Sequence, residues 1–174
     1  MRTSTMTRRE ARLQRVEEHV GFENAHDLDG ILGTLAPEPV FQDLAWNDTR
    51  VGLPEVRAHY AELLRGIPNL AIDVSRCHAA DETVLLEATV RGTHIGTLHG
   101  LPATGRRFEF PLCAVYTFDE EDRVAGERIY YDRATVLAQV GLFRDPRTPL
   151  GRWLTPLRHP FTVTRALSRA FLRL

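Results

Sequence analysis

Residues 84–96 read VLLEATVRGTHIG, and residues 108–118 read FEFPLCAVYTF. In both segments large apolar residues occupy every second position, which is typical of strands that bury one face. The alternation extends over residues 70–132 and is interrupted by turn-type clusters at 79–82, 100–105 and 119–122. This region therefore predicts four strands joined as an antiparallel meander.

Amphipathic helices are predicted on either side of these strands. The first begins at Thr7, which forms a capping-box pattern with Glu10. Apolar residues three and four positions apart, with prolines or glycine at the ends, predict the other helices. The complete set is a helix to about residue 24, a helix over 27–36, a short strand at 40–41, a helix over 54–67 and a last helix over 133–140.

The order of these elements predicts the fold class. The helices are grouped before and after the strands and do not alternate with them, which favours an α+β fold over a doubly wound one. We expect a cone-shaped curved antiparallel sheet packed against N-terminal helices, with a C-terminal helical extension. The cone would occupy residues 1–143 and the extension residues 144–174. The inside of such a cone is a natural pocket.

The composition excludes several kinds of chemistry. All 22 basic residues are Arg, so the chain has no lysine for a Schiff base, a pyridoxal anchor or a P-loop. No serine stands in a G-x-S-x-G motif, which excludes the usual hydrolase elbow. Cys77 and Cys113 are too few for a disulfide framework, and neither a secretory signal nor a long apolar run is present. We therefore expect a cytoplasmic protein.

The extension differs from the rest of the chain in charge. Residues 1–143 contain 15 Arg against 22 acidic residues, whereas residues 144–174 contain seven Arg against Asp145 alone. Its last part predicts a basic amphipathic helix, with an apolar stripe at 163, 167, 170, 171 and 174 and arginines at 165, 169 and 173. Two interpretations are open. The helix packs on an acidic domain of its own chain or of a partner, or residues 161–174 make a peripheral contact with an anionic membrane.

Four motifs occur in order along the chain. They are ENAHDLD at 23–29, GTHIG at 92–96, LPATGR at 101–106, and YYD at 130–132 followed by QVG at 139–141. Together, over about residues 10–143, they resemble the SnoaL-like polyketide cyclases of the nuclear-transport-factor-two-like superfamily. The resemblance implies a conical α+β barrel with a deep apolar pocket, often dimeric, used for cyclisation, isomerisation, epoxide hydrolysis, dehydration or binding alone.

The catalytic positions that the resemblance implies are occupied by unexpected residues. The cyclases carry an Asp on the last strand and a His on the preceding one, at positions that fall about at Ile129 and Pro111. The limonene-type epoxide hydrolases, which are also similar, imply an Asp-Arg-Asp set near Gly96, His94 and Ile129. The strand pattern of this chain therefore has to indicate the catalytic candidates.

Three residues are candidate acid–base groups. His94 shares the parity of the apolar residues of 84–90, so an imidazole would lie at the end of the pocket-facing side, where it suits proton transfer. The alternative is a buried histidine that is hydrogen-bonded to the backbone. The alternation places the Glu109 side chain on the outer face of its strand, unless a bulge at Pro111 turns it inward. Asp132 follows the last strand, and it also stands where a helix cap is required.

Aromatic and polar residues around the expected pocket are candidates for substrate contact. Trp46 and Asn47 follow the first short strand, and Tyr60 lies on the apolar stripe of the third helix. Tyr116 belongs to the apolar side of its strand, and Tyr130 lies on the last strand. In a cone, core positions and pocket positions coincide, so these side chains would present polar tips to an apolar ligand.

The last strand allows two interpretations. Glu127 and Arg128 read as charges of the surface or of a dimer interface. The alternation, however, places Arg128, Tyr130 and Asp132 on one side, and this side is then expected to face the pocket.

These observations predict a cofactor-independent enzyme. It would cyclise or isomerise a small hydrophobic oxygenated compound of polyketide, terpenoid or steroid-like type, with His94 and either Asp132 or Glu109 moving protons. A homodimer is expected, and neither a metal nor nucleic acid is expected as a partner. An epoxide hydrolase of the limonene type and a non-catalytic binding or assembly module remain as alternatives.

Overall fold

The computed structural model describes residues 7–171. The helices are α1 (Arg8–Ala25), α2 (Leu28–Gly33), α3 (Leu53–Gly66), α4 (Arg133–Gln139), α5 (Pro149–Arg158) and α6 (Pro160–Phe171). The strands are β1 (Leu35–Asp43), β2 (Asp48–Val51), β3 (Ala71–Ala79), β4 (Thr83–Thr93), β5 (Arg107–Phe118) and β6 (Val124–Tyr130).

The strands form one curved sheet that does not close on itself. Their order is β2-β1-β6-β5-β4-β3. Strands β3 to β6 pair antiparallel in sequence order, as the period-two pattern predicts, whereas β1 pairs antiparallel with β2 and parallel with β6. The expected α+β fold is confirmed, with one parallel pair added to the antiparallel sheet.

The ends of α1 follow from local chemistry. The Thr7 hydroxyl accepts a hydrogen bond from the Glu10 amide, and the Glu10 carboxylate accepts one from the Thr7 amide, so the capping box is confirmed. The helix ends where His26 adopts a left-handed conformation, with φ of 56°. These bonds satisfy backbone groups at both ends of α1.

The second helix and the first strand differ from the prediction. The helix ends at Gly33, and the residues from Leu35 onward belong to β1, which is much longer than the expected two-residue strand. Strand β2 was not predicted at all. The physical reason is that β1 pairs with β2 and β6, and these tertiary hydrogen bonds override the helical spacing of the local sequence.

Two apolar clusters pack between the helices and the inner face of the sheet. One joins α1 and α3 to the sheet through residues such as Val16, Tyr60 and Leu86. The other lies around the end of α3 and includes Ile67 and Phe110. Residues of both clusters surround the cavity described below.

A β-bulge determines which side of β6 faces inward. Phe118 pairs with Val124, but Thr117 pairs with Gly126, so Ala125 is an extra residue in β6. One added residue exchanges the two faces of the strand beyond it. A Cβ atom at Gly126 would also lie 2.5 Å from the Thr117 hydroxyl, so a larger residue there would force the Thr117 side chain to move.

The bulge overturns the alternation-based interpretation of β6. Glu127 and Ile129 pair with Tyr116 and Ala114 of β5 and face inward with them. Tyr130 is 41% exposed and lies on the outer side. The expectations that Glu127 is a surface charge and that the Tyr130 side faces the pocket were both wrong.

The extension forms α5 and α6. Thr148 caps α5 through a hydrogen bond from the Gly151 amide, and the two helices contact each other. No helix within residues 7–171 is both long and apolar enough to cross a membrane. The predicted apolar position 174 and basic position 173 lie outside the described residues.

Candidate active site

A cavity of about 130 Å³ lies between the inner face of the sheet and helices α1, α3 and α4. An apolar cavity of about 150 Å³ is enough to hold a benzene-sized ligand. Most of its wall is apolar, and this wall includes Phe41, Leu86, Val90, Phe108, Phe110 and Ile129. Two groups of polar side chains, most of which line the cavity, interrupt this surface, and they differ in their burial and in their hydrogen bonds.

The first group, the inner cluster, consists of His19, Glu23, Tyr60, Tyr116 and Glu127. His19 is 0% exposed and Glu23 is 5% exposed. The Tyr60 hydroxyl donates to one oxygen of Glu127 at 2.7 Å, and the Tyr116 hydroxyl donates to the other at 3.1 Å. Nε2 of His19 lies 3.0 Å from the Tyr60 oxygen and 3.6 Å from Glu127. Glu127 therefore receives hydrogen bonds from both tyrosines and lies beside His19.

The hydrogen bonds of the inner cluster favour a doubly protonated His19. The Thr34 hydroxyl donates to the Ile31 carbonyl, so it accepts from Nδ1 of His19 at 2.6 Å. With the Tyr60 proton on Glu127, Nε2 of His19 is placed to donate to the Tyr60 oxygen. This pattern favours a proton on both ring nitrogens, that is, an imidazolium at His19.

The pKa shifts agree with this assignment. Burial alone would lower the pKa of His19, but the hydrogen bond and charge of Glu127 and the charge of Glu23 raise it overall. Burial alone would raise the pKa of Glu127, but His19 and the hydroxyls of Tyr60 and Tyr116 lower it overall. His19 and Glu127 therefore form a buried ion pair.

Glu23 is the carboxyl group that remains without a counterion of its own. Burial raises its pKa to about 7, although the charge of His19 acts in the opposite direction. Near neutral pH a large fraction of Glu23 is therefore a neutral carboxylic acid, and it lines the cavity. Such a group can donate a proton to a bound oxygen atom.

The inner cluster also has the composition of a metal site. His19, Glu23 and Glu127 offer ligand atoms that all lie within 4.8 Å of one another. The Tyr60 hydroxyl, however, already bridges His19 and Glu127, and an imidazolium does not ligate a cation. Without a change of protonation, these residues do not fit a metal ion.

Sequence reasoning missed His19 and Glu23, although a signal was present. Val16 and Val20 form the buried stripe of α1, and His19 and Glu23 lie three positions after each of them. Polar residues on the buried stripe of a helix require partners in the interior. The second glutamate, Glu127, was hidden by the bulge in β6.

The second group, the rim cluster, consists of Asp43, Trp46, His99, Tyr131 and Arg133. One oxygen of Asp43 accepts from the amides of Ala45 and Trp46, at 3.0 and 3.2 Å. The other accepts from the Tyr131 hydroxyl at 2.8 Å and lies 3.9 Å from Nε2 of His99. The Trp46 ring stacks on His99 at 4.4 Å, and the Arg133 guanidinium lies 5.1 Å from the Trp46 ring centroid.

Burial changes the acid–base properties of the rim cluster as well. It raises the pKa of Asp43, although the Tyr131 hydroxyl and the backbone amides lower it in part. It lowers the pKa of His99 and lowers that of the neighbouring His59 to about 4. His59 is therefore neutral at physiological pH, and its ring lies 4.1 Å from that of Phe41 in a tilted arrangement.

His94 lies in the cavity wall, where the parity of β4 places it. Its Nδ1 is 3.2 Å from the Thr104 hydroxyl, whereas its Nε2 is buried and has no hydrogen-bond partner within residues 7–171. A buried polar atom without a partner costs about 1–3 kcal/mol. An atom of a ligand could satisfy it, so this nitrogen is a candidate contact for substrate.

The loop that follows β4 closes one side of the cavity through Leu98, His99 and Leu101. Its beginning is fixed to α3, because the amides of Ile95 and Gly96 both donate to the Gly66 carbonyl, at 2.9 and 3.0 Å. The amide of Gly105 returns to the His94 carbonyl, and the tip is a tight turn in which residues 99 and 100 have positive φ.

The structure places the predicted acid–base carboxylates outside the cavity. Asp132 is exposed and caps α4, because it accepts from the Ala134 amide at 2.9 Å and from the Thr135 hydroxyl. Glu109 points outward from β5, where its backbone bonds to Gln139. Neither position supports the catalytic role expected for these residues, and His94 alone of the three candidates lines the cavity.

Of the predicted contact residues, Trp46, Tyr60 and Tyr116 line the cavity. Asn47 is exposed in the turn after β1 with φ of 54°, and Tyr130 lies on the outer side of β6 because of the bulge. Tyr131, one residue later, takes the inward position.

Of the two positions that the resemblance implies for cyclase catalysis, one lies in the cavity wall and the other outside the cavity. Ile129 lies in the cavity wall, whereas Pro111 is exposed on β5. No arginine within residues 7–171 lines the cavity, so the Asp-Arg-Asp set of the epoxide hydrolases is not assembled there. The polar groups of this cavity therefore come from other elements of the chain.

Comparisons with known proteins agree on the family and the fold. The sequence profile of the family described as SnoaL-like polyketide cyclase matches residues 11–140. No curated protein sequence matches the chain. Many solved structures are similar to this chain, and three of them are the following.

The first, AclR from Streptomyces galilaeus, is described as a candidate hydroxylase; it has 25% identity and a TM-score of 0.66, and the match covers 77% of this chain and 87% of AclR. A candidate SnoaL-like polyketide cyclase from Jannaschia sp. CCS1 has 20% identity and a TM-score of 0.70, with coverage of 80% and 96%. A protein with a ketosteroid isomerase-like fold from Catenulispora acidiphila has 20% identity and a TM-score of 0.63, with coverage of 78% and 98%.

Proposed function

We propose that this chain, which belongs to the SnoaL-like polyketide cyclase family, is a cofactor-independent enzyme that cyclises or isomerises a small hydrophobic ketone by acid–base catalysis. One observation carries the proposal. An apolar cavity contains both a carboxylic acid whose pKa is raised to about 7, Glu23, and an imidazole nitrogen that has no partner, Nε2 of His94.

The two groups have complementary roles in this proposal. Nε2 of His94 removes a proton from the carbon next to the substrate carbonyl, and Glu23 donates a proton to the carbonyl oxygen, which gives an enol. In isomerisation the protonated His94 gives its proton to another carbon of the enol, and the enol hydroxyl returns its proton to Glu23. In cyclisation the enol carbon attacks a second carbonyl carbon, the oxygen of that carbonyl takes the proton from His94, and the enol hydroxyl returns its proton to Glu23. The apolar wall strengthens these interactions because it excludes water.

The rim cluster binds the substrate in this proposal. The oxygens of Asp43 already accept three hydrogen bonds, which suits a fixed anion better than a proton-transfer group. Asp43 and His99 would hold a hydroxyl group of the substrate while its carbonyl reaches Glu23. The homodimer expected from the resemblance stays a prediction, which light scattering on the purified protein would test.

Proton exchange tests the proposal without knowledge of the natural substrate. A panel of apolar ketones and 1,3-diketones is incubated with the protein in D₂O, and loss of the α-proton signal is followed by NMR. We expect exchange above background with the wild type, and a loss of about 100-fold in Glu23→Gln and His94→Ala. Glu109→Gln, an exposed carboxylate on β5, is the matched control.

Exchange at the wild-type rate in both variants would overturn the assignment. A loss in Asp43→Asn without a loss in His94→Ala would transfer the role of the base to Asp43. Binding of the panel compounds without any exchange would favour the non-catalytic binding module.

A second candidate is acid-assisted opening of an epoxide, which the raised pKa of Glu23 favours. A neutral carboxylic acid can protonate the epoxide oxygen while water or an internal hydroxyl attacks the carbon, and the attacking oxygen then loses its proton to the carboxylate. Incubation of apolar epoxides with the protein in ¹⁸O-labelled water distinguishes the two products, because attack by water gives a diol that contains the label and attack by an internal hydroxyl gives an unlabelled cyclic ether.

A further inference from the structure

We propose that α5, α6 and His159 between them form an arm that docks on the surface of an anionic lipid bilayer. The arm lies outside the match to the family, which ends at residue 140. Exposed apolar side chains and unpaired cations of the arm support docking, whatever the function of the cavity.

The arm exposes large apolar side chains. Leu150, Trp153 and Leu157 are spaced by three and four residues and therefore lie on one face of α5. Trp153 is 80% exposed, Leu157 is 73% exposed, and Phe161 at the start of α6 is 89% exposed. Several large apolar groups in one short segment are more than the isolated exposed residues of an ordinary surface.

The same segment carries cations that have no local anion. Arg152, Arg158, Arg165 and Arg169 are exposed and form no ion pair within residues 7–171. The one acidic residue after position 143 is Asp145, and it already binds Arg147. Charge complementarity therefore requires an anionic partner from outside the arm.

A lipid surface fits these features better than protein partners do. The acidic body of the chain does not cover Trp153 or Phe161, which remain exposed. A second copy of the arm would bring arginines against arginines. Tryptophan and phenylalanine next to arginines on short helices are typical of segments that lie in the headgroup region. With 10 and 12 residues, α5 and α6 are too short to span a bilayer and would lie along its surface.

The arm is also close to the cavity along the chain. It follows α4, whose Val136, Leu137 and Val140 region forms part of the cavity wall. Docking would keep this side of the cone near the lipid, where a hydrophobic substrate accumulates. This last consequence, unlike the docking itself, rests on the proposed function.

Vesicle binding of the full chain tests the proposal. Vesicles of phosphatidylcholine are compared with vesicles that contain about 30% phosphatidylglycerol, by co-sedimentation and by tryptophan fluorescence. We expect binding to the anionic vesicles alone and its loss in about 0.5 M salt. A blue shift on binding should be present in the wild type and absent in Trp153→Phe, which retains Trp46.

Matched variants distinguish binding through the arm from binding through the net charge of the chain. Each arginine near an anionic surface contributes about fivefold to partitioning, so Arg165→Gln with Arg169→Gln should weaken binding about 25-fold. Arg107→Gln with Arg128→Gln removes two exposed cations from the sheet and should leave binding unchanged. Circular dichroism confirms that the variants are folded.

Three results would overturn the proposal. They are equal binding to both kinds of vesicle, wild-type binding by the α6 double variant, and a Trp153 emission that is already blue-shifted without lipid. In the last case, a change of mass by light scattering in Trp153→Ser would identify the arm as a contact between copies of the chain.

Discussion

The inner cluster and the rim cluster contain the same kinds of groups, a carboxylate, an imidazole and tyrosine hydroxyls, but they hold their protons differently. In the inner cluster all partners are side chains, and His19 and Glu127 neutralise each other. Glu23 is then left without a partner charge and takes a proton. In the rim cluster, backbone amides and Tyr131 satisfy Asp43, while His99 stays 3.9 Å away. The comparison indicates that a buried carboxyl group can act as an acid where burial outweighs the hydrogen bonds and charges that stabilise its anion, as at Glu23.

The largest expected difference between the clusters is in stability. Glu127→Gln leaves the buried His19 imidazolium without its counterion and should cost about 3–5 kcal/mol of unfolding free energy. Asp43→Asn retains an oxygen for the backbone amides and should cost about 1 kcal/mol. Urea unfolding measures both values, with the exposed Glu109→Gln as control, expected within about 0.5 kcal/mol. Equal losses in the two variants would remove the distinction.

The next effect is on the pH dependence of the reaction. If Glu23 acts as the acid, the rate of α-proton exchange should fall as the pH rises through about 7, where the group loses its proton. In Glu23→Gln this limb of the profile should disappear together with about 100-fold of the rate. A profile measured from pH about 5 to about 9 decides the matter, and an unchanged alkaline limb in the variant would exclude Glu23 as the acid.

The protonation of Glu23 should also change the stability of the protein, with a smaller effect than on the rate. The folded protein retains the Glu23 proton up to a pH of about 7, whereas the unfolded chain releases it near the ordinary value of 4.5. The folded state therefore binds more protons between these values, and the free energy of unfolding decreases as the pH rises through this window. At pH about 8, Glu23→Gln should exceed the wild type by about 1–3 kcal/mol in urea unfolding. A variant that is less stable than the wild type at this pH would contradict the assignment.

The smallest effect concerns the tyrosines. Tyr131→Phe removes one hydrogen bond from Asp43 and should cost about 1 kcal/mol, and the pKa of Asp43 should rise further because that hydrogen bond lowers it. The expected kinetic result is a higher KM with little change in kcat. Tyr130→Phe, on the exposed side of the same segment, should change neither quantity. A large loss of kcat in Tyr131→Phe would place the rim cluster in the chemical step.

Most of the fold could be predicted because its signals are local. The period of two over residues 70–132 is sufficient to predict the four strands of the meander, since each strand buries one face. The capping box at Thr7 and Glu10 fixes the start of α1 from four residues of sequence. Strand β2 and most of β1 were missed because their hydrogen bonds join distant parts of the chain.

The candidate site could be predicted only in part, for the same reason. The position of His94 follows from the parity of β4, which is a local property. The inward position of Glu127 depends on one extra residue, Ala125, which no alternation pattern indicates. Asp43 and His99 meet only because the loop after β4 folds back over the end of β1. His19 and Glu23 could have been found as polar residues on the buried stripe of α1.

The attachment of the loop after β4 has a consequence for redesign. The Gly66 carbonyl holds the amides of Ile95 and Gly96 at one end, and the Gly105 amide closes the other end on His94. A methyl group at Gly96 would lie 2.7 Å from the Arg65 carbonyl, so this anchor tolerates no larger residue. Residues 97–103 lie between these two anchors and form the replaceable part of the loop, whereas Thr104 is kept because its hydroxyl contacts Nδ1 of His94. Replacing residues 97–103 by segments of other lengths should enlarge or reduce the cavity, and so change the size of the accepted compound, while the contacts of His99 with Asp43 and Trp46 are lost.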